Sequence, residues 1–237
     1  EKSAYKEVSW WEDSESNLMS MNGVVDKTAL LLTIVTLTAI AVYLTVPISL
    51  FLSLLGAIVG FVVALIIIFS GSMNPILICT YAACQGLFLG GITWIIEYQY
   101  NAPGLGIVAA VLTFLILGVM LSIYRAGLIS WNKNMQIAVT SSMVAILLIY
   151  LVSFIGSFVG FEVPLIHGNG AVGIAFSVFV VGIASLCLVA DFDFIERGVE
   201  RGAPKQLEWR AAFGLLVTLI WLYLEILKLL AKLAPRK

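Results

Sequence analysis

Seven apolar stretches, each about as long as a bilayer-crossing helix, fill most of the chain: roughly 28–46, 48–69, 76–96, 104–124, 136–159, 170–195 and 208–233. About 20 predominantly apolar residues suffice to cross the hydrocarbon as a helix. The breaks between stretches are short and carry turn chemistry. Pro47 divides the first two, SGSMNP places Gly71 and Pro75 between the second and third, and NAPG at 101–104 precedes the fourth. Proline stops a helix and glycine relieves the turn that follows. The pattern predicts an all-α integral membrane protein: a polar N-terminal tail (1–27) and a bundle of seven transmembrane helices (28–237).

Composition agrees. Of 237 residues 61% are hydrophobic and 11% charged, with a mean hydropathy of +1.07, too little charge to coat a soluble domain of this size. No Lys or Arg occurs between Lys27 and Arg125. A net charge of -1, with basic residues gathered only in 197–210 and at the C-terminus, excludes a nucleic-acid partner. The first 27 residues hold no apolar core before Thr28 and are not a secretory signal peptide. With the N-terminus cytoplasmic, that side receives Lys27, Arg125, Lys133, Arg197, Arg201, Lys205 and Arg210, and the three opposite loops receive no Lys or Arg. This is a positive-inside bias, opposed only by Lys228, Lys232, Arg236 and Lys237 at the far end of the last span.

Little here resembles a catalytic or cofactor site. Cys79, Cys84 and Cys187 lie in apolar runs and read as small hydrophobes. His167, the single histidine, sits beside Gly168 in a loop, so neither a zinc site nor a His-based triad is expected. No enzyme activity and no cofactor are predicted. Small residues recur at helical spacing as Gly56, Gly60 and Ala64 on the second span and Ala82, Gly86 and Gly90 on the third, stripes that let helix backbones approach. Gln85, beside Gly86, could line a polar path, although an amide in a bundle usually takes an interhelical hydrogen bond.

Ionisable residues within spans are costly and therefore informative. Glu97 and Arg125 sit at span ends among Trp94, Tyr98 and Tyr124 and read as interfacial anchors. Glu196, Arg197, Glu200 and Arg201 interleave at i,i+4 spacing as a solvated extension of the sixth helix. Glu225 is different, since the run before it is uncharged back to Arg210; its local reading is an ion pair with Lys228 three residues on. Asp191 and Asp193 close the uncharged run 170–190. About 200° apart around a helix, they cannot both face one interior site; on spacing alone Asp191 reads as a membrane exit, and if one of the two is functional the other is solvated.

VADFDFIERG (189–198) followed by WLYLEILKLL (221–230), with NGVVDKTALLL (22–32) at the first span, resembles the Bax inhibitor-1/YccA family, the transmembrane Bax-inhibitor-motif proteins, and most closely its longer prokaryotic branch. The resemblance implies a bundle whose last helix is central, wrapped by two three-helix layers, in a bacterial plasma membrane. It also implies an aspartate on helix six and an acid on helix seven that share a proton and gate a pH-sensitive calcium leak. Residue by residue these are Asp191 and the Glu225 of LYLE, the pair also expected to attract calcium, with Asp193, Lys228 and Gln85 secondary. Two close carboxylates in low dielectric cannot both ionise cheaply and titrate as a unit.

The spacing qualifies that pairing. From Asp191 to Glu225 is 225 − 191 = 34 residues. At about 1.5 Å per helical residue, a hairpin turning near Gly202 sets the two at different depths unless the turn comes late. The second and third spans also offer no basic residue to pair with Asp191. The alternative function from the same resemblance is a membrane-embedded regulator of a membrane protease or of a stress or cell-death partner. The tail, with Trp10, Trp11, Glu12, Asp13 and Glu15, would serve it. An intramembrane aspartyl protease is set aside because Glu225 follows LYL rather than GxG and no PAL motif follows. A retinal protein would need a third-span counter-ion to Lys228, and that span has no acid before Glu97.

Overall fold

The computed structural model describes residues 17–45, 49–157 and 170–234. Pro47, His167, the tail through Ser16, Arg236 and Lys237 lie outside the described residues. Among those described, the chain forms α1 (Met21–Leu44), α2 (Ser49–Ser70), α3 (Pro75–Tyr100), α4 (Leu105–Arg125), α5 (Lys133–Ser157), α6 (Ala171–Glu200) and α7 (Leu207–Leu233). All seven are long and apolar enough to cross a membrane. Phe51, Phe61, Phe69, Ile107 and Leu147 are exposed. Such surface would aggregate in water, and in a bilayer it is the face that lipid covers.

Helix starts carry their own chemistry. Asn74 Oδ1 accepts the Ile76 N–H at 2.9 Å, with Pro75 in the first-turn position where it has no bond to lose. Asn132 Oδ1 does the same for Met135 N–H at 2.9 Å ahead of α5. The first span begins at Met21 rather than at Thr28. The polar heptapeptide 21–27 is helical because Ser20 caps it, its Oγ accepting the Gly23 N–H at 3.0 Å, and because Lys27 finds a buried partner, Glu208.

The chain divides into two units, Glu1–Gly91 with Asp193–Leu216, and Ile92–Phe192 with Val217–Lys237. In the first, the small-residue stripes pack helices closely. A Cβ on Gly56 would stand 2.6 Å from the Cys84 carbonyl, and one on Gly86 would overlap Thr38 Oγ1 and the Val35 carbonyl. Residues 17–20 run against the α6–α7 turn: Met19 N–H donates to Ala203 O at 2.7 Å and Lys205 N–H to Asn17 O at 2.8 Å. The N-terminal segment and the loop carrying Lys205 therefore share one face. Gly202, at φ 61°, makes the turn sharp.

In the second unit Val139 and Ile146 of α5 pack on Val180, Ile183 and Cys187 of α6, with Trp221 of α7 against them. Helix α7 is the most buried of the seven, at 56% of its span against 17% for α5. The protein is thus an all-α, multi-pass membrane bundle in which the last helix is the best enclosed.

Candidate functional site

Helix α6 runs without a break for 30 residues, about 45 Å, against a hydrocarbon thickness of about 30 Å. Asp191 is its twenty-first residue, counting from Ala171, and nine more helical residues follow. The helix therefore continues past it. Its carboxylate accepts a hydrogen bond from the Thr218 hydroxyl of α7, and its Oδ2 is closed off from solvent with no partner among the described residues. A carboxylate oxygen in that position costs free energy until a proton, a water or a cation reaches it.

Glu225 is buried to 2% exposure and holds a different set of partners. Tyr150 of α5 directs its phenol to both carboxylate oxygens at 2.9 Å, Trp221 Nε1 donates to Oε1 at 3.0 Å, and Lys228 Nζ reaches Oε1 at 2.7 Å. Lys228 also donates to Tyr150 Oη at 3.1 Å and stands 4.6 Å from the centre of that ring. The spacing along α7 explains the convergence. Residues 218, 221, 225, 228 and 232 recur at steps of three and four, the period of one helix face. Lys232, last on that face, is held by the Gly173 carbonyl at 3.0 Å and Ser177 Oγ at 2.8 Å.

The two acids are not joined by a hydrogen bond. Asp191 meets Thr218, and Thr218 precedes Glu225 by seven residues, about 10 Å along the helix. Each acid of the expected shared-proton pair has its own partners along α7, and the hairpin between them turns at 201–206. No group of three or more His, Cys, Asp or Glu suited to a metal gathers among the described residues.

The two motifs that contribute this polar face of the last helix and the acid of helix six lie within a family-model match that spans nearly the whole chain. The Bax inhibitor 1 like model matches residues 2–235. The chain belongs to the Bax inhibitor 1 like family. No curated protein matches it in sequence.

The remaining charges of this Bax inhibitor 1 like chain fall into place separately. Asp193 receives Arg197 Nε at 3.0 Å and its Nη2 at 2.9 Å, the i,i+4 pair of a solvated helix end. Gln85 lies in the first unit, where its Nε2 is 3.1 Å from the position of a Cβ on Gly60, whereas Asp191 and Glu225 belong to the second. Glu97 is not an exposed anchor: at 6% exposure its Oε1 accepts the Gly106 N–H at 2.8 Å and so caps α4. Beside it Thr93 Oγ1 and Tyr223 Oη are 2.7 Å apart.

Sequence reasoning missed three groups. Tyr150 and Trp221 stand in apolar runs where their polar tips give no signal. Glu208, fully enclosed, accepts the Ser20 N–H at 2.9 Å and the Ser20 hydroxyl at 3.1 Å and pairs with Lys27. An acid in the first turn of the last span, with a base near the start of the first, was the available hint.

Proposed function

We propose that this Bax inhibitor 1 like protein is a pH-sensitive cation leak, with calcium the expected ion, in a bacterial plasma membrane. Asp191 is its proton-responsive acid and Glu225 the second acid on the path. The observation that carries the reading is Asp191 Oδ2, an enclosed carboxylate oxygen without a partner inside an apolar helix. Glu208 and Glu225 are each met by several donors, whereas Asp191 keeps one oxygen available. Available carboxylate oxygens bind protons and hard cations, the two species a pH-gated leak must exchange. The family resemblance supplies the same assignment. Conduction requires binding weak enough to release the ion, which one half-satisfied carboxylate provides better than a full coordination cage.

The test is calcium entry into vesicles holding the purified chain, measured across pH. Asp191→Asn should flatten the pH response, and Asp193→Asn should leave it unchanged. A pH response intact in Asp191→Asn defeats the assignment. Absence of flux from the wild-type chain at every pH favours instead the regulator that works through a protein partner. Deleting 1–16, and not 1–27, is the proper tail control, because residues 17–27 are built into the first unit.

A further inference from the structure

A cation arriving at Glu225 would find an ammonium already there. Lys228 Nζ lies 2.7 Å from the carboxylate, 3.1 Å from the Tyr150 oxygen and 4.6 Å from the centre of the Tyr150 ring. A carboxylate, a neutral oxygen and a π face are the features that hold a bare cation. Lysine fits that role, being a compact charge on a flexible four-carbon stem. Its side chain is 37% exposed while Glu225 is 3% exposed, so the stem spans from the enclosed acid to the surface of the helix bundle. Lys232, one turn on, is occupied with Gly173 and Ser177 and does not compete for the acid.

We infer that Lys228 is a tethered cation that fills the cation position at Glu225 and keeps the transported ion out of it. The physiological meaning rests on the leak reading; the occupancy does not, and can be measured alone. With the ammonium in place, Glu225 is neutralised and Lys232 adds a second positive charge one turn away. With it removed, Glu225 keeps its Tyr150 and Trp221 donors but loses the ammonium that contacts its oxygen, leaving only Lys232 a turn away, and an enclosed carboxylate in that state recruits a cation from solution. Opening then requires only that the lysine stem swing away, with no rearrangement of helices.

Terbium is the probe, a hard cation that stands in for calcium and emits when an indole near it is excited. Trp221 Nε1, 3.0 Å from Glu225 Oε1, is the built-in sensitiser. Purified full-length Lys228→Met should show saturable tryptophan-sensitised emission at least tenfold above wild type. Calcium should reduce it, and adding Glu225→Gln or Trp221→Phe should remove it. Lys228→Arg should stay dark like wild type, and Lys228→Gln, which can still donate to Tyr150, replaces Lys228→Met if the latter does not fold. In vesicles the neutral variants should raise calcium entry several-fold. Equal emission from wild type and the neutral variants, or emission from neither, overturns the inference. Emission from Lys228→Met without flux from any variant would uphold the occupancy and defeat the leak.

Discussion

Replacing Lys27 by Met should destabilise the protein more than any other single loss of a surface-reaching charge. Glu208 is fully enclosed and Lys27 retains 17% side-chain exposure, so the substitution leaves a buried carboxylate with the two Ser20 donors and no counter-charge. Breaking a buried pair from one side costs about 3–5 kcal/mol. The partial exposure of Lys27 puts the expectation near the lower end, about 3 kcal/mol, a shift of roughly 150-fold in the folding equilibrium. Glu208→Gln should cost less, about 1–3 kcal/mol, since the amide stays neutral and its oxygen can still accept from Ser20. The double variant should then resemble Glu208→Gln, because no charge remains to strand. Equilibrium unfolding in mixed micelles, read as a double-mutant cycle, gives all three values. Costs that add within about 0.5 kcal/mol would refute the reasoning, as they would mean that the two side chains do not interact.

Three further outcomes follow from named contacts. Tyr150→Phe removes the donor that reaches both Glu225 oxygens and should lower stability by about 1–3 kcal/mol in the same assay. Gly86→Val drives a branched side chain into Thr38 and the Val35 carbonyl, and overpacking of about 1–3 kcal/mol or more should appear as loss of monodisperse protein on gel filtration. Asp193→Asn removes an exposed i,i+4 pair and should change stability by no more than about 0.5 kcal/mol.

The seven spans were legible because apolar length is a property of each segment alone. The start of α1 was not, since MNGVVDK is polar; what makes it helical is Ser20 beside it and Glu208 in another helix. Asp191 was placed by its motif, while its neighbour depended on the depth of the turn. Counting 34 residues raised the question of an offset from Glu225, and the count alone does not say where the turn falls. Of the donors to Glu225 only Lys228 was visible, a charge at helical spacing on its own helix; the polar tip of Trp221 was hidden in an apolar run, and Tyr150 belongs to α5. Which of eight tyrosines turns toward an acid depends on helix rotation, and no local pattern encodes that.

The fastening of residues 17–20 to the α6–α7 turn also sets a timetable for biogenesis. Ser20 and Glu208 are 188 residues apart, and Lys27 and Glu208 are 181 apart. At about 5–20 residues per second of translation, the leading end of α1 waits roughly 10–40 seconds before its partner is made. Through that interval Lys27 lacks Glu208, and the first helix must hold its place in the bilayer without that pair. Arrival of the last hairpin closes this long loop, so a nascent chain cut short before α7 carries a Lys27 without Glu208 on α1, a mark by which an unfinished chain differs from a finished one.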